Sequence, residues 1–500
     1  MAEEQEEREG SGLERLRAVR VDKMEALRRA GVNPYPYRFA VTHAVADLFA
    51  GEAALVESGA EVAIAGRAMA LRGHGKTSFG HVEDSSGRMQ VYVRRDEIGD
   101  EAFARFEALD LGDIIGVRGA LFRTRTNELT VRVTSFEVLA KSLRPLPEKW
   151  HGLTDKEIRY RQRYVDLAVN PEVREVFRLR SVLVETMRQF LRGKGFLEVE
   201  TPILQPLYGG AAARPFTTHH NALDMTLYLR IANELYLKRL LVGGFERVFE
   251  FAKDFRNEGI DRSHNPEFTM MECYAAYLDY NDFMDMVEAM VKTIALALSP
   301  DGKTKYGDVV LDFAKPWKRV RYLDALGEKM NFDFACKLVN AKLLASMAHN
   351  VGVAVDPTLP AAAIADELFS ALVEPGLMEP TFVYDYPKEL SPLAKDHRSM
   401  PGLVERFEGY VAGFEICNAF SELNDPIEQR RRFEQQAENR ARGDDEAHQL
   451  DEDFIRALEY GMPPAAGLGM GIDRLTMVFT DSHSIRDVIF FPHMRPEDGR

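Results

Sequence analysis

Between Phe255 and Phe268 the chain reads FRNEGIDRSHNPEF, which packs an arginine, carboxylates, a histidine and an asparagine into one loop's length. Upstream, ERVFEFAKDF (residues 246–255) alternates apolar and polar residues; downstream, FTMMECYAAY (residues 268–277) resumes an apolar, β-compatible pattern. The two runs predict antiparallel strands joined by the charged loop. Arg256, at the end of the first strand, can fork its guanidinium onto a phosphate, and Glu258 can accept from an exocyclic amine or hold a cation. Taken singly, the plainer reading is a surface hairpin laced with ordinary ion pairs, because isolated motifs carry a high false-positive rate. Two further segments shift that balance.

The first is GLGMGIDR (residues 467–474), followed by the apolar run LTMVF. Its alternate glycines let backbone approach a flat or charged ligand, and Arg474 is placed to meet anionic oxygen at a helix start. The spacing is GxGxGxDR, so it does not fit a dinucleotide fingerprint, and no βαβ unit surrounds it. The second is GFLEVETPIL (residues 195–204), a helix stop at Gly195 leading into a strand that ends at Pro202. In this order the three segments resemble motifs 1, 2 and 3 of the class II aminoacyl-tRNA synthetases, and within class IIb the lysine-specific members. The resemblance runs from about Glu61 to the C-terminus. It is carried also by GGAAARPFTTHHNALD (209–224), LYLRIANELYLKRLLVGGFERVFE (227–250), FEICNAFSELNDP (414–426) and ALEYGMPPAAGLGMGIDR (457–474).

That resemblance implies an α+β protein: an N-terminal OB-fold β-barrel, then a class II catalytic domain built on an antiparallel sheet flanked by helices. It implies a ligase that activates L-lysine with ATP to lysyl-adenylate and passes the lysyl group to the 3′ end of tRNA(Lys). Carried over by position, the lysine site comprises Gly210, Glu234, Glu272, Tyr274, Asn418, Phe420, Glu422 and Gly469. The ATP site comprises Arg256, Glu258, His264, Asn265, Phe268, Glu408, Glu415 and Arg474, with Arg256 and Arg474 as the catalytic cations. Glu408 and Glu415 match a pair that holds Mg2+, an ion that takes oxygen ligands. Pro202, in the motif 1 match, implies a homodimer interface. One departure stands out: Ser263 precedes His264 where the usual bacterial pattern has arginine, and Arg262 lies one step earlier, so the arginine that meets the γ-phosphate in this loop is open. Two alternatives stay open, a paralogue that lysylates a non-tRNA acceptor and an inactive nucleic-acid-binding relative. The intact Arg256, Glu258, Glu408, Glu415 and Arg474 argue against the second.

Lysine also makes physical sense as a substrate. An ammonium on a four-carbon stem calls for carboxylate and aromatic partners in a partly dry pocket. Asn418, Phe420 and Glu422 alternate, so one strand would turn them to one side. Glutamates converging on an empty pocket repel one another, and a bound cation relieves the strain. Glu234 and Glu422 are expected to meet the two substrate amines from opposite sides.

Five hundred residues exceed what one core organises, so several domains are expected. We divide the chain into an extension (1–60), a barrel (61–141), a linker (142–170) and a catalytic domain (171–500) with a helical insertion at about 300–378. A hydrophobic share of 45% with 29% charged residues is that of an ordinary soluble globular chain. The acidic start MAEEQEEREG fits neither a signal nor a transit peptide, and no apolar run approaches bilayer length, so a cytoplasmic location is expected. Cys273, Cys336 and Cys417 include no CxxC pair and read as buried small hydrophobes.

The net charge of −15 argues at first against a nucleic-acid partner. Residues 61–141, however, hold twelve Lys/Arg against twelve Asp/Glu, a neutral segment in an acidic chain. Its short alternating runs, with a helical insert near 101–109, predict a five-stranded barrel of the oligonucleotide-binding type. Such barrels stack bases on aromatic rings and read their edges with polar side chains. The resemblance assigns Phe79 as the anticodon platform and Gln90 and Arg67 as edge readers, with His81 beside them. Residues 1–10 are expected to be disordered, and 12–31 to form an amphipathic helix on Leu13, Leu16, Val19, Met24 and Leu27.

Overall fold

The computed structural model describes residues 2–147, 153–335, 337–441 and 450–496. These form two compact units, Met1–Thr154 and Asp155–Arg500.

In the first unit, five strands (Glu61–His74, Thr77–Glu83, Arg88–Arg94, Ile114–Arg123 and Leu129–Ala140) close into a barrel in the order one, two, three, five, four. Strict alternation builds it: Met89, Val91 and Val93 point into the core while Gln90 and Tyr92 point out. The predicted insert is the helix Asp100–Glu107, which plugs the interior with Phe103 and Phe106. The helix preceding the barrel starts at Ala2, earlier than expected, and takes in the acidic stretch, whose Glu, Gln and Arg are strong helix formers. It ends at Gly31 in the left-handed conformation, as the sequence suggested. Its apolar stripe is only partly used. Met24 is buried and Leu27 packs on the barrel core, but Leu16 and Val19 stay exposed. Arg20 takes a buried place instead, donating to the carbonyls of Leu111, Ser142 and Arg144.

The second unit is an eight-stranded sheet ordered Lys318–Arg321, Thr381–Pro387, Leu403–Val411, Phe414–Ser421, Ala465–Gly471, Glu267–Ala276, Arg247–Phe255, Leu197–Glu198. All neighbours are antiparallel except the two edge pairs. Helices Pro171–Gly193, Tyr280–Leu298 and Ile472–Phe479 share the main core with it, through Leu183, Met187, Phe283, Val287 and Leu475 against Phe249, Cys273 and Met470. Tyr280–Leu298 begins with a reciprocal cap: Asp279 accepts from the Asn281 and Asp282 amides while Asp282 accepts from the Asp279 amide.

The predicted hairpin is present, with Arg247–Phe255 paired to Glu267–Ala276 in unbroken register. Gly195 (φ +83°) follows the helix as expected, but the strand after it pairs over Leu197–Glu198 only, well short of Pro202. The expected helical insertion also needs correction. Residues 303–321 contain short strands, and its helices lie at Tyr322–Met330, Ala341–Asn350 and Ala361–Leu372, around a second core in which Tyr322, Leu326 and Phe369 pack against Val383, Tyr386 and Tyr410 of the sheet. Four-residue strands carry too few alternations to be seen in sequence. Cys273 and Cys417 are free and buried, and Cys336 lies outside the described residues. Among the described residues, no helix is long and apolar enough to cross a membrane.

Candidate active site

Three neighbouring strands bring distant sequence into rows. Glu272, Gly469 and Asn418 stand opposite one another, and Tyr274, Gly467 and Phe420 form the next row. A glycine in the middle of each row leaves a trough between flanking side chains. A Cβ on Gly467 would come within 2.2 Å of Glu422 Oε1 and 2.3 Å of the Tyr274 ring, so any larger residue would close it. Gly210 (φ +90°) forms the rim above Glu234, in a backbone conformation that favours glycine.

The trough opens into a cavity of about 980 Å³, lined by Gly210, Glu234, Arg256, Glu258, His264, Asn265, Phe268, Glu272, Tyr274, Glu408, Glu415, Asn418, Phe420, Gly469 and Arg474. Segments spread over more than 260 positions thus meet as the resemblance implied. Glu422 differs: it is fully buried and lies behind the Gly467 trough rather than on the cavity wall.

At the acid end sits a residue that sequence reasoning missed. Lys238, 0% exposed, reaches Glu234 one helical turn away and Glu422 at the end of its strand, with its ammonium 5.3 Å from the centre of the Phe420 ring. The two glutamates therefore share one internal ammonium and do not stand on opposite sides of the pocket. The pocket is not a bare cluster of carboxylates awaiting a cation; one cation is resident. Burial alone would lower the Lys238 pKa, but the two carboxylates outweigh it and keep the amine protonated. Burial pushes Glu422 up to about 8 even with Lys238 beside it. Glu272 is driven well above the carboxylate range by burial and by the charges of Asp254 and Glu234, and the Tyr274 hydroxyl donates to it at 3.0 Å.

The opposite end is cationic and more open. The Arg256 guanidinium lies 5.0 Å above the Phe268 ring, and its Nε, though buried, has no hydrogen-bond partner among the described residues. Asn265 Oδ1 is likewise buried without a partner. Asp261, another residue not anticipated, folds the hairpin loop by accepting from the Ser263 and His264 amides and from His264 Nδ1 at 2.8 Å. Those hydrogen bonds prevail over burial and hold its carboxyl down to about 2. His264 Nε2 then faces Arg474 at 3.3 Å, and Arg474 also donates to the Glu415 carbonyl at 2.9 Å. Arg262 does not line the cavity, whereas Ser263 does.

Between the two ends lie Glu408 and Glu415. Glu408 accepts from the hydroxyls of Tyr386 (2.8 Å) and Tyr410 (2.6 Å) and from Arg406. Arg406 also donates to Asn418 Oδ1 at 2.9 Å, so it ties Glu408 to the row of Glu272, Gly469 and Asn418. Burial, and then the Glu408 charge, raise the Glu415 pKa. Two carboxylates held this close favour a shared cation.

Comparison with known proteins agrees with this geometry. Residues 155–495 match the model of the class II tRNA synthetases (D, K and N), and residues 62–139 match that of the OB-fold nucleic acid binding domain. A lysine-tRNA ligase of Carboxydothermus hydrogenoformans is 56% identical over 97% of this chain and 99% of its own length. One from Moorella thermoacetica is 54% identical over 97% of this chain and 98% of its own. The chain belongs to the lysine-tRNA ligase family.

The ligase's barrel carries a second hollow, of about 820 Å³, lined by Phe79, His81, Gln90, Arg72, Arg125 and further residues of the same face. Phe79 stands opposite Tyr92 with ring centres 4.7 Å apart, and Phe122 continues the series at 5.8 Å from Tyr92. Tyr92 was legible as an outward residue two places after Gln90. Arg67 is not part of the hollow. It stands opposite Glu83, two pairs beyond His81, and donates to the Gly112 carbonyl at 2.8 Å. Glu128, also missed in sequence, holds two residues of the hollow: Gln90 Nε2 donates to it at 2.7 Å and His81 Nε2 lies 3.2 Å from its other oxygen.

Proposed function

We propose that the cavity activates lysine with ATP and that the barrel face holds the anticodon of tRNA(Lys), the lysyl group passing from lysyl-adenylate to the 3′ end of the tRNA. The observation that carries this is the polarity of one cavity. Its acid end, with Glu234 on the wall and Glu422 behind, suits the amines of lysine. Its other end, with Arg256, His264 and Arg474, suits a triphosphate. The substrate carboxylate then points toward the phosphates. An in-line attack on the α-phosphorus needs positioning and charge neutralisation above all, and no general base. Arg256, with a buried unpaired Nε, neutralises the α-phosphate, and Phe268 stacks on adenine. The unpaired Asn265 Oδ1 can accept from an exocyclic amine. Arg474 serves the γ-phosphate end, where Arg262 has no place on the cavity wall.

The donor set suits magnesium. Glu408 and Glu415 offer oxygen only, and among the described residues no third His, Cys, Asp or Glu joins them in a metal-holding cluster. Water and phosphate oxygens would complete the shell, which is how Mg2+ is usually held. When bound, the ion would offset phosphate charge.

The function is tested by lysine-dependent pyrophosphate exchange run against all twenty amino acids. Exchange with lysine alone supports the reading, and equal turnover of another amino acid overturns it. The ligase is further proposed to act in the cytoplasm as a homodimer. Leu197, Ile203 and Leu204 around Pro202 form an exposed apolar edge, suited to a two-fold contact in which one patch serves both partners. Sedimentation of a fully active monomer at micromolar concentration would remove the dimer.

A further inference from the structure

A lysine side chain buried in a pocket that selects lysine calls for a physical reason. Fully buried lysines are rare and need partners. Lys238 has two, Glu234 and Glu422, and both are residues through which the proposed function reads the substrate amines. On its helix Lys238 is the fourth residue after Glu234, and its neighbour Leu237 is equally buried. Each glutamate offers one oxygen to Lys238, Oε1 of Glu234 and Oε2 of Glu422. The second Glu422 oxygen, Oε1, is buried, has no hydrogen-bond partner among the described residues, and lies beside the Gly467 trough.

We propose that Lys238 is a positioning residue for amino-acid selection: its ammonium clamps Glu234 and Glu422 side by side, so that their remaining oxygens receive the ammonium groups of lysine. The inference rests on the reading of those glutamates as the substrate's acceptors.

Charge supports the geometry. Two adjacent buried carboxylates cannot both ionise unaided. With Lys238 between them the trio carries a net charge of −1 when both are ionised, the complement of lysine's net +1. The groups that face it are Phe420 and Tyr274, the buried Glu272, and Arg406, whose charge also reaches Glu234. Without Lys238, Glu422 would lose the ammonium that opposes the upward push of burial. The pocket would then meet an ammonium without a fixed oxygen geometry.

The test is the pH profile of KM for lysine in pyrophosphate exchange. Wild-type enzyme should show a break near pH 8. Lys238→Met should raise KM for lysine at pH 7 at least tenfold and move the break upward by a pH unit or more, with KM for ATP within about twofold of wild type. Leu237→Ala, an uncharged cavity on the same helix, should lower stability and leave the break in place. Should Lys238→Met not fold, Lys238→Gln, which keeps a donor but no charge, should show the same upward break. If Glu422→Gln leaves KM for lysine unchanged, the underlying reading fails. If Glu422→Gln raises that KM while the Lys238 variants leave both KM and break in place, or shift lysine and ATP alike as Leu237→Ala does, the positioning role alone fails.

Discussion

The synthetase cleft and the barrel face each hold their selecting groups on a charge supplied by the protein, but in opposite surroundings. In the cleft, Lys238 and Glu422 are 0% exposed and Glu234 is 6% exposed. On the barrel, Glu128 holds Gln90 and His81 with its own side chain 48% exposed. Burial makes the first clamp strong and permanent, because charges in a low-dielectric interior interact strongly and leave at great cost. Exposure makes the second weak, since water and salt screen contacts to a solvated charge. A small zwitterion must be told from close relatives by a few desolvated contacts. A nucleotide base offers a large flat face, and half-buried rings such as Phe79, Tyr92 and Phe122 can grip it by stacking.

If the cleft works through preorganised charge, its phosphate end should give the largest effect. Arg256→Ala is expected to cut adenylate formation by about 3–4 kcal/mol of transition-state stabilisation, on the scale of losing one preorganised donor, with the fold intact by circular dichroism. Normal exchange rates in that variant would place the α-phosphate elsewhere. Glu422→Gln should come next, at about 2–3 kcal/mol, the low end for truncating a buried charge pair because Lys238 keeps Glu234 as a partner. Its loss should appear in KM for lysine with ATP little changed. A fall in ATP affinity instead would make the acid end a nucleotide or metal feature.

What could be read in sequence was whatever repeats locally. The hairpin 247–276, the helix stop at Gly195 and the five barrel strands all announce themselves by alternation or by a glycine. The cleft residues came instead from resemblance, since no periodicity joins Glu234 to Glu422. Lys238 was missed because Glu and Lys four apart on a helix look like an ordinary surface pair. Only tertiary packing, which covers this helix with Phe420 and the Glu422 strand end, turns that pair inward. Arg406 was hidden for the converse reason: an arginine between Glu405 and Glu408 in one strand gives no hint that it reaches both Glu408 and Asn418. The alternate glycines of 467–471 were read as room for a ligand, and two of them also make room for the protein's own Tyr274, Glu422 and Met270 side chains.

The barrel should respond more mildly, and in one activity only. Phe79→Ala removes one member of the ring series and is expected to cost about 1–2 kcal/mol in tRNA charging, within the range for one lost base stack. Lysine-dependent exchange should be unchanged. If activation and charging fell together, the barrel would be a structural support rather than a reading surface, and the contrast between the two sites would lose one side.

The smallest effect sharpens the contrast most, because only a buried clamp should produce it. Glu422 is raised to about 8 by burial, against the opposing pull of Lys238, and Glu234 adds to the rise. Below that pH the empty pocket holds the Glu422 proton, so an arriving ammonium must displace it. Proton binding competes with lysine binding: KM for lysine should fall with rising pH, by up to about tenfold per unit or 1.4 kcal/mol, and level off above pH 8. KM for ATP should not follow. Calorimetry in buffers of different ionisation enthalpy should detect a proton released on lysine binding at pH 7 and little release at pH 9. A flat KM between pH 6.5 and 8, with no proton released, would mean that Glu422 is already ionised in the empty pocket.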